Sequence, residues 1–162
     1  MPAPGIKLLL QLLDQAFASK AWHGPVLLGS IRGVKLKAAT FRPLGKRNSI
    51  RDLVYHCAYW KYAARRWVRM AAGDQPGPAF ARSPAKFPVR SERVTEKMWR
   101  ADIRMLKREH ALIVAAVRRF PDRLLDSRKG DSPVTFAELI AGVAQHDLYH
   151  CGQIGLLKRL AG

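Results

Sequence analysis

His146 and His150 stand four residues apart in the stretch Gln145-His146-Asp147-Leu148-Tyr149-His150-Cys151-Gly152-Gln153. On a helix, this spacing sets both imidazoles on one side, one turn apart. Their neighbours at helical spacing are Phe136, Leu139, Ile140, Val143, Ile154 and Leu157, so the two rings belong to an apolar stripe. An imidazole buried alone loses free energy unless both ring nitrogens find partners. A divalent cation satisfies two such rings at once, taking one nitrogen from each. The competing explanation is a pair of ordinary polar histidines, and the spacing alone does not separate the two.

A pair of ligands holds an ion weakly, so a third donor is required. The chain has five histidines, namely His23, His56, His110, His146 and His150. His56 follows Leu53 and precedes Trp60 near the edge of another apolar stripe, where a facing helix can bring it opposite the pair. Three neutral imidazoles leave coordination positions open, which suits a catalytic site better than a closed structural one. His110 fits a hydrogen-bonded structural role. Asp147 is either a carboxylate that orients a ligand or an exposed or capping residue. Cys57 and Cys151 each follow a candidate ligand but point about 100° away from it on a helix, so both read as small core residues. The tryptophans at 22, 60, 67 and 99 read as core.

The elements that must position these groups are helices. A first amphipathic stretch runs from about Ile6 to Ala18, with Ile6, Leu9, Leu10, Leu13 and Phe17 on one face. Residues 25–47 read as an irregular connection with short helical turns. Ser49-Ile50-Arg51-Asp52 fits a capping box and opens a helix that Gly73 stops. Residues 73–94 hold four prolines and two glycines and read as a long surface loop. A third long helix spans about Thr95 to Phe120, where Pro121 ends it. Thr135-Phe136-Ala137-Glu138 is a second capping box, opening the helix that carries the histidine pair. No stretch alternates with period two for long enough to form a sheet. The expected architecture is all-α: a four-helix bundle with long crossover loops, in a single domain covering 1–162.

Composition narrows the function classes. Hydrophobic residues make up 48% of the 162, enough for a core. Two cysteines cannot form a disulfide framework. No apolar run reaches the roughly 18 residues of a membrane helix. Gln11, Asp14 and Gln15 break any signal-peptide core before Ala16-Phe17-Ala18, so the expected location is cytoplasmic. The formal net charge is +17, with the excess confined to residues 1–120. Such a charge favours polyanions. A basic nucleic-acid-binding protein is therefore the alternative reading, with Arg65, Arg66 and Arg69 as one candidate cluster and Arg100, Arg104, Lys107 and Arg108 as another. No recognisable nucleic-acid-binding motif accompanies them.

The stretch from Gln145 to Ile154 resembles the last-helix motif of the DinB/YfiT-like proteins. Ser49 to His56 resembles that family's second-helix motif, Ala21-Trp22-His23-Gly24-Pro25 the segment after its first helix, and Trp99 with Asp102 a feature of its third. The resemblance implies a four-helix bundle with a divalent ion, commonly nickel or zinc, held by His56, His146 and His150. It also implies a homodimer acting on a small-molecule substrate. Characterised relatives are transferases and isomerases that use a low-molecular-weight thiol, and others are described as metal-dependent hydrolases. His23 and Asp147 are the candidate proton carriers or orienting groups in such a site.

Overall fold

A computed structural model describes residues 3–90 and 92–162. Six α-helices are described: α1 (Pro4–Phe17), α2 (Leu27–Ile31), α3 (Leu36–Thr40), α4 (Ile50–Ala71), α5 (Glu96–Arg118) and α6 (Phe136–Leu160). Single 3₁₀ turns lie at Pro43–Gly45 and Asp122–Leu124. Among the described residues there is no strand, only two isolated bridges. Both capping boxes form with reciprocal bonds, Ser49 with Asp52 and Thr135 with Glu138. These satisfy backbone donors that the first helical turn leaves without partners.

The four long helices pack in the cyclic order α1, α6, α4, α5. Pairwise contacts fix their directions. Lys61 meets Asp147 and His56 meets His150, so α4 and α6 are antiparallel. Arg51 meets Asp102 and Arg65 meets Glu109, which advance together, so α4 and α5 are parallel. A parallel pair cannot be joined by a tight turn. The described residues between the two helices, 72–90 and 92–95, therefore run back along the bundle from the end of α4 to the start of α5, and α2 and α3 cap the end where α4 begins.

Two apolar clusters fill the bundle. One gathers Leu27, Ile50, Val54, Trp99, Leu106 and Ile154 beneath α2 and α3. The other gathers Ile6, Leu13, Val68, Ile113, Phe120 and Ile140 at the opposite end. A fully buried aliphatic chain such as Ile113 contributes about 1.5–3 kcal/mol. The boundary between the clusters is charged. Lys61 and Arg65 are among the largest fully buried side chains, each facing a buried carboxylate.

The segment 72–95 is pinned rather than loose. Arg65 donates to the carbonyls of Pro76 and Pro78, at 3.5 and 3.0 Å. Arg69 donates to the Gln75 carbonyl, Tyr55 Oη to the Pro84 carbonyl, and Arg82 to Asp102. Gly77 has φ +80°, and a Cβ there would stand 2.6 Å from Arg65 Nη1, so only glycine fits beneath this clamp. We call the segment the strap.

Of the tryptophans expected in the core, Trp99 alone is buried. Trp60 and Trp67 are half-buried, and Trp22 is 96% exposed on a short turn after α1. Trp22 sits outside any amphipathic helix, so no packing face draws it inward.

Candidate metal centre

His56 comes from the second turn of α4, and His146 and His150 come from the middle of α6. The antiparallel crossing brings the three together in the groove between these helices. Their ring centroids lie 5.1 Å (His56–His146), 5.3 Å (His56–His150) and 4.3 Å (His146–His150) apart. One ligand atom from each falls within 4.8 Å of the others. His146 Nε2 and His150 Nε2 approach to 3.0 Å.

The hydrogen bonds behind the rings decide which nitrogen faces inward. His150 Nδ1 donates to Gln153 Oε1 at 2.7 Å, which leaves the Nε2 lone pair toward His146. His56 Nδ1 donates to the Lys86 carbonyl at 3.3 Å, which leaves its Nε2 as an acceptor, now taking the Trp60 indole N–H at 3.1 Å. A ring whose Nδ1–H is anchored on the protein keeps its Nε2 lone pair, the tautomer a metal requires, and at His56 an ion would have to displace the Trp60 indole N–H from that nitrogen. Two nitrogens, each about 2.0–2.1 Å from one ion, stand about 3 Å apart, so the facing Nε2 atoms fit a shared cation. Burial holds all three rings below their ordinary pKa. His146 comes down to about 3, with the charges of His150, His56 and Lys61 adding to the burial. His56 is lowered by burial against the raising pull of the Lys86 carbonyl, and His150 by burial against Gln153. Neutral imidazoles are what coordination needs.

The walls of the site are aromatic. Phe87 of the strap stacks on His56 with centroids 4.4 Å apart and planes 9° from parallel. Trp60 meets His146 edge-on, and Tyr149 meets His150. Lys86 Nζ stands 5.9 Å from the centre of the Trp60 ring.

The profile of the DinB superfamily matches residues 22–154, which include all three histidines, the whole of α4 and α6 as far as Ile154. The chain belongs to the DinB superfamily. No curated protein and no solved structure matches it. The superfamily is associated with metal binding, and this DinB chain supplies a three-histidine group able to hold a cation. Among the described residues, no helix is long and apolar enough to cross a membrane.

Other residues singled out in the sequence are placed as follows. Asp147 is fully buried in the core beside His146, where it accepts from Lys61 of α4. Burial pushes its carboxyl up, and Lys61 pulls it back. Cys57, His146 and Asp147 form a second close group. Asp147 is engaged by Lys61, and burial raises the Cys57 thiol well above its ordinary value, so this group is core packing. His23 is not brought to the trio. It is exposed and lines a groove of about 780 Å³ with Gly29, Leu148, Cys151, Gly152 and Gly155, on the side of α6 that faces α2. His110 is buried against Phe17, ring on ring at 3.6 Å, and its Nδ1 has no hydrogen-bond partner among the described residues, where a hydrogen bond was expected.

Sequence reasoning missed Lys61, Gln153 and the strap residues. Lys61 carries a signal, since it interrupts the apolar stripe of α4 between Cys57 and Ala64. Gln153 carries another, three residues beyond His150 on the same face. Lys86 and Phe87 carry none, because their places depend on how the strap returns. The α4 arginines were grouped as a polyanion face. Arg65 is instead buried against Glu109 at 3.4 Å, Arg66 packs on Tyr62, and Arg69 holds the strap.

Proposed function

We propose that this DinB-superfamily chain is a divalent-metal-dependent enzyme acting on a small molecule, most directly a thiol-dependent S-transferase or isomerase, with hydrolysis as the other reaction the same site supports. The observation that carries the reading is the facing pair of Nε2 atoms on His146 and His150, with His56 beside them and two of the three rings locked by protein acceptors. A divalent cation, nickel or zinc, supplies Lewis acidity there and lowers the pKa of a thiol or of water. The chain itself does the positioning. Gln153 and the Lys86 carbonyl hold two imidazoles in the required tautomer. Phe87, Trp60 and Tyr149 give an apolar wall for an electrophile, and Lys86 offers a cation to an anionic group beside that wall. Asp147 acts as an orienting group through Lys61, and His23, away from the trio, is assigned no step.

In this reading, the enzyme works as a homodimer in the cytoplasm. Support for a second copy is the exposed Trp22 beside the apolar groove on α6. Elemental analysis of tag-free protein tests the centre: about one divalent ion per chain is expected, lost in His150→Ala. Turnover of an electrophilic aryl halide with a panel of cellular thiols then tests the chemistry. Turnover that no thiol changes removes the transferase reading, and metal-free protein that is folded removes both.

A further inference from the structure

The chain carries a second recess on the other side of the strap. Phe87 stacks on His56, and just beyond it Val89 and Arg90 line a cavity of about 460 Å³. Its remaining walls are α3, the residue Arg42 and the first turn of α4. Four cations line it: Lys37, Arg42, Arg51 and Arg90.

These cations are held unequally. Arg42 is clamped by Asp52 through both terminal nitrogens. Arg51 is only 3% exposed. Its Nε donates to Asp102 at 2.7 Å and its Nη1 to Glu92 at 3.0 Å. Asp102 is shared with Arg82. Arg90 donates only to neutral oxygens, the Lys46 carbonyl and Asn48 Oδ1. Among the described residues, neither Lys37 nor Arg90 meets a carboxylate. Of the cations around the recess, Arg42, Arg51 and Arg82 pair with Asp52, Glu92 and Asp102, Glu92 itself lines the cavity, and Glu96 accepts from the Leu36 backbone at the foot of α3, whereas Lys37 and Arg90 have no carboxylate partner among the described residues. Buried guanidiniums fixed from behind by carboxylates are pre-oriented for an anion. The positive end of α4, capped by Ser49, opens on the same recess.

We propose that this cavity binds a small organic phosphate monoester, separately from the histidine centre. Such a group carries about −1.5 to −2 charge at neutral pH, opposite in sign to Lys37 and Arg90, which no carboxylate engages among the described residues. The cavity is several times larger than a phosphate, and Leu36, Val89 and Val94 line the rest of it, leaving room for an organic body. A nucleic-acid backbone fits less well, because Arg51 is reached only inside the recess.

The test is a titration of the intact protein with phenyl phosphate and with inorganic phosphate, at constant ionic strength set by potassium chloride, read by thermal shift and calorimetry. Saturable binding of both is expected, tighter for phenyl phosphate. Lys37→Gln/Arg90→Gln is expected to weaken it about tenfold or more. Both residues are exposed and outside any buried pair, so the variant keeps its helical spectrum and its metal content, and Arg90→Gln alone gives an intermediate loss. Non-saturable shifts, equal affinity in the double variant, equal binding of succinate, or preferential binding of an oligonucleotide with steep salt dependence through the same residues would each overturn the proposal.

Discussion

Lys61 of α4 donates to Asp147 of α6, with both side chains fully buried, beside the residues that carry the three imidazoles. Lys61 donates to Asp147 Oδ2, and Asp147 Oδ1 has no hydrogen-bond partner among the described residues, so the lysine is the carboxylate's main compensation. The pair fixes how α4 and α6 sit against each other and hence whether His56 reaches the other two rings. Lys61→Met leaves a carboxylate alone in the core and is expected to cost about 3–5 kcal/mol in urea unfolding. Lys61→Met/Asp147→Leu removes both charges and is expected to recover most of that loss. A single variant as stable as the parent would show that the pair carries no such constraint.

Gln153 holds His150 in its metal-ready tautomer. Gln153→Leu is expected to weaken divalent-ion affinity about 10–100-fold in chelator competition, with the fold retained. Gln153→Glu keeps an acceptor at the same place and is expected to restore most of it. Identical affinities for all three proteins would separate Gln153 from the centre.

His110 gives a pH dependence of known sign. Burial, with a smaller push from Lys61, lowers its pKa from 6.5 to about 3. Between these values the unfolded chain takes up a proton that the folded chain refuses. The contribution is therefore fully retained above pH 6.5 and lost progressively as pH falls toward 3, at about 1.4 kcal/mol per pH unit. His110→Phe is expected to flatten the stability profile by this slope in that window. An unchanged profile from denaturant titrations at several pH values would contradict the assignment.

The strap depends on Gly77. Gly77→Ala places a Cβ at positive φ and against Arg65 Nη1, and is expected to cost about 1–2 kcal/mol locally. Limited proteolysis should then cut within 73–94 faster than in the parent, while hydrogen exchange in the buried turns of α5 stays slow. Unaltered cleavage would mean that the clamp does not hold the strap.

The parts legible in the sequence are those set by neighbours along the chain. Both capping boxes close three residues apart, and His146 with His150 needs only one helical turn, so spacing sufficed. His56 was placed by pairing two apolar stripes, which works because the antiparallel crossing of α4 and α6 is regular. The charge was harder to read. Grouping Arg65 with Arg66 and Arg69 as a polyanion face overlooked that Glu109, in the stripe of α5, would draw Arg65 inside. The strap was illegible because its order rests on partners far along the chain, such as Tyr55 with Pro84 and Arg82 with Asp102. Proline and glycine composition predicts an irregular path but not where it is fastened.

The parallel pairing of α4 and α5 separates two tasks along the chain. The imidazoles and two of the wall aromatics, Trp60 and Tyr149, are mounted on α4 and α6, whereas Phe87 and Lys86 are contributed by the intervening stretch. A change confined to that connecting passage therefore remodels one side of the recess while the two helices that bear the histidines keep their places.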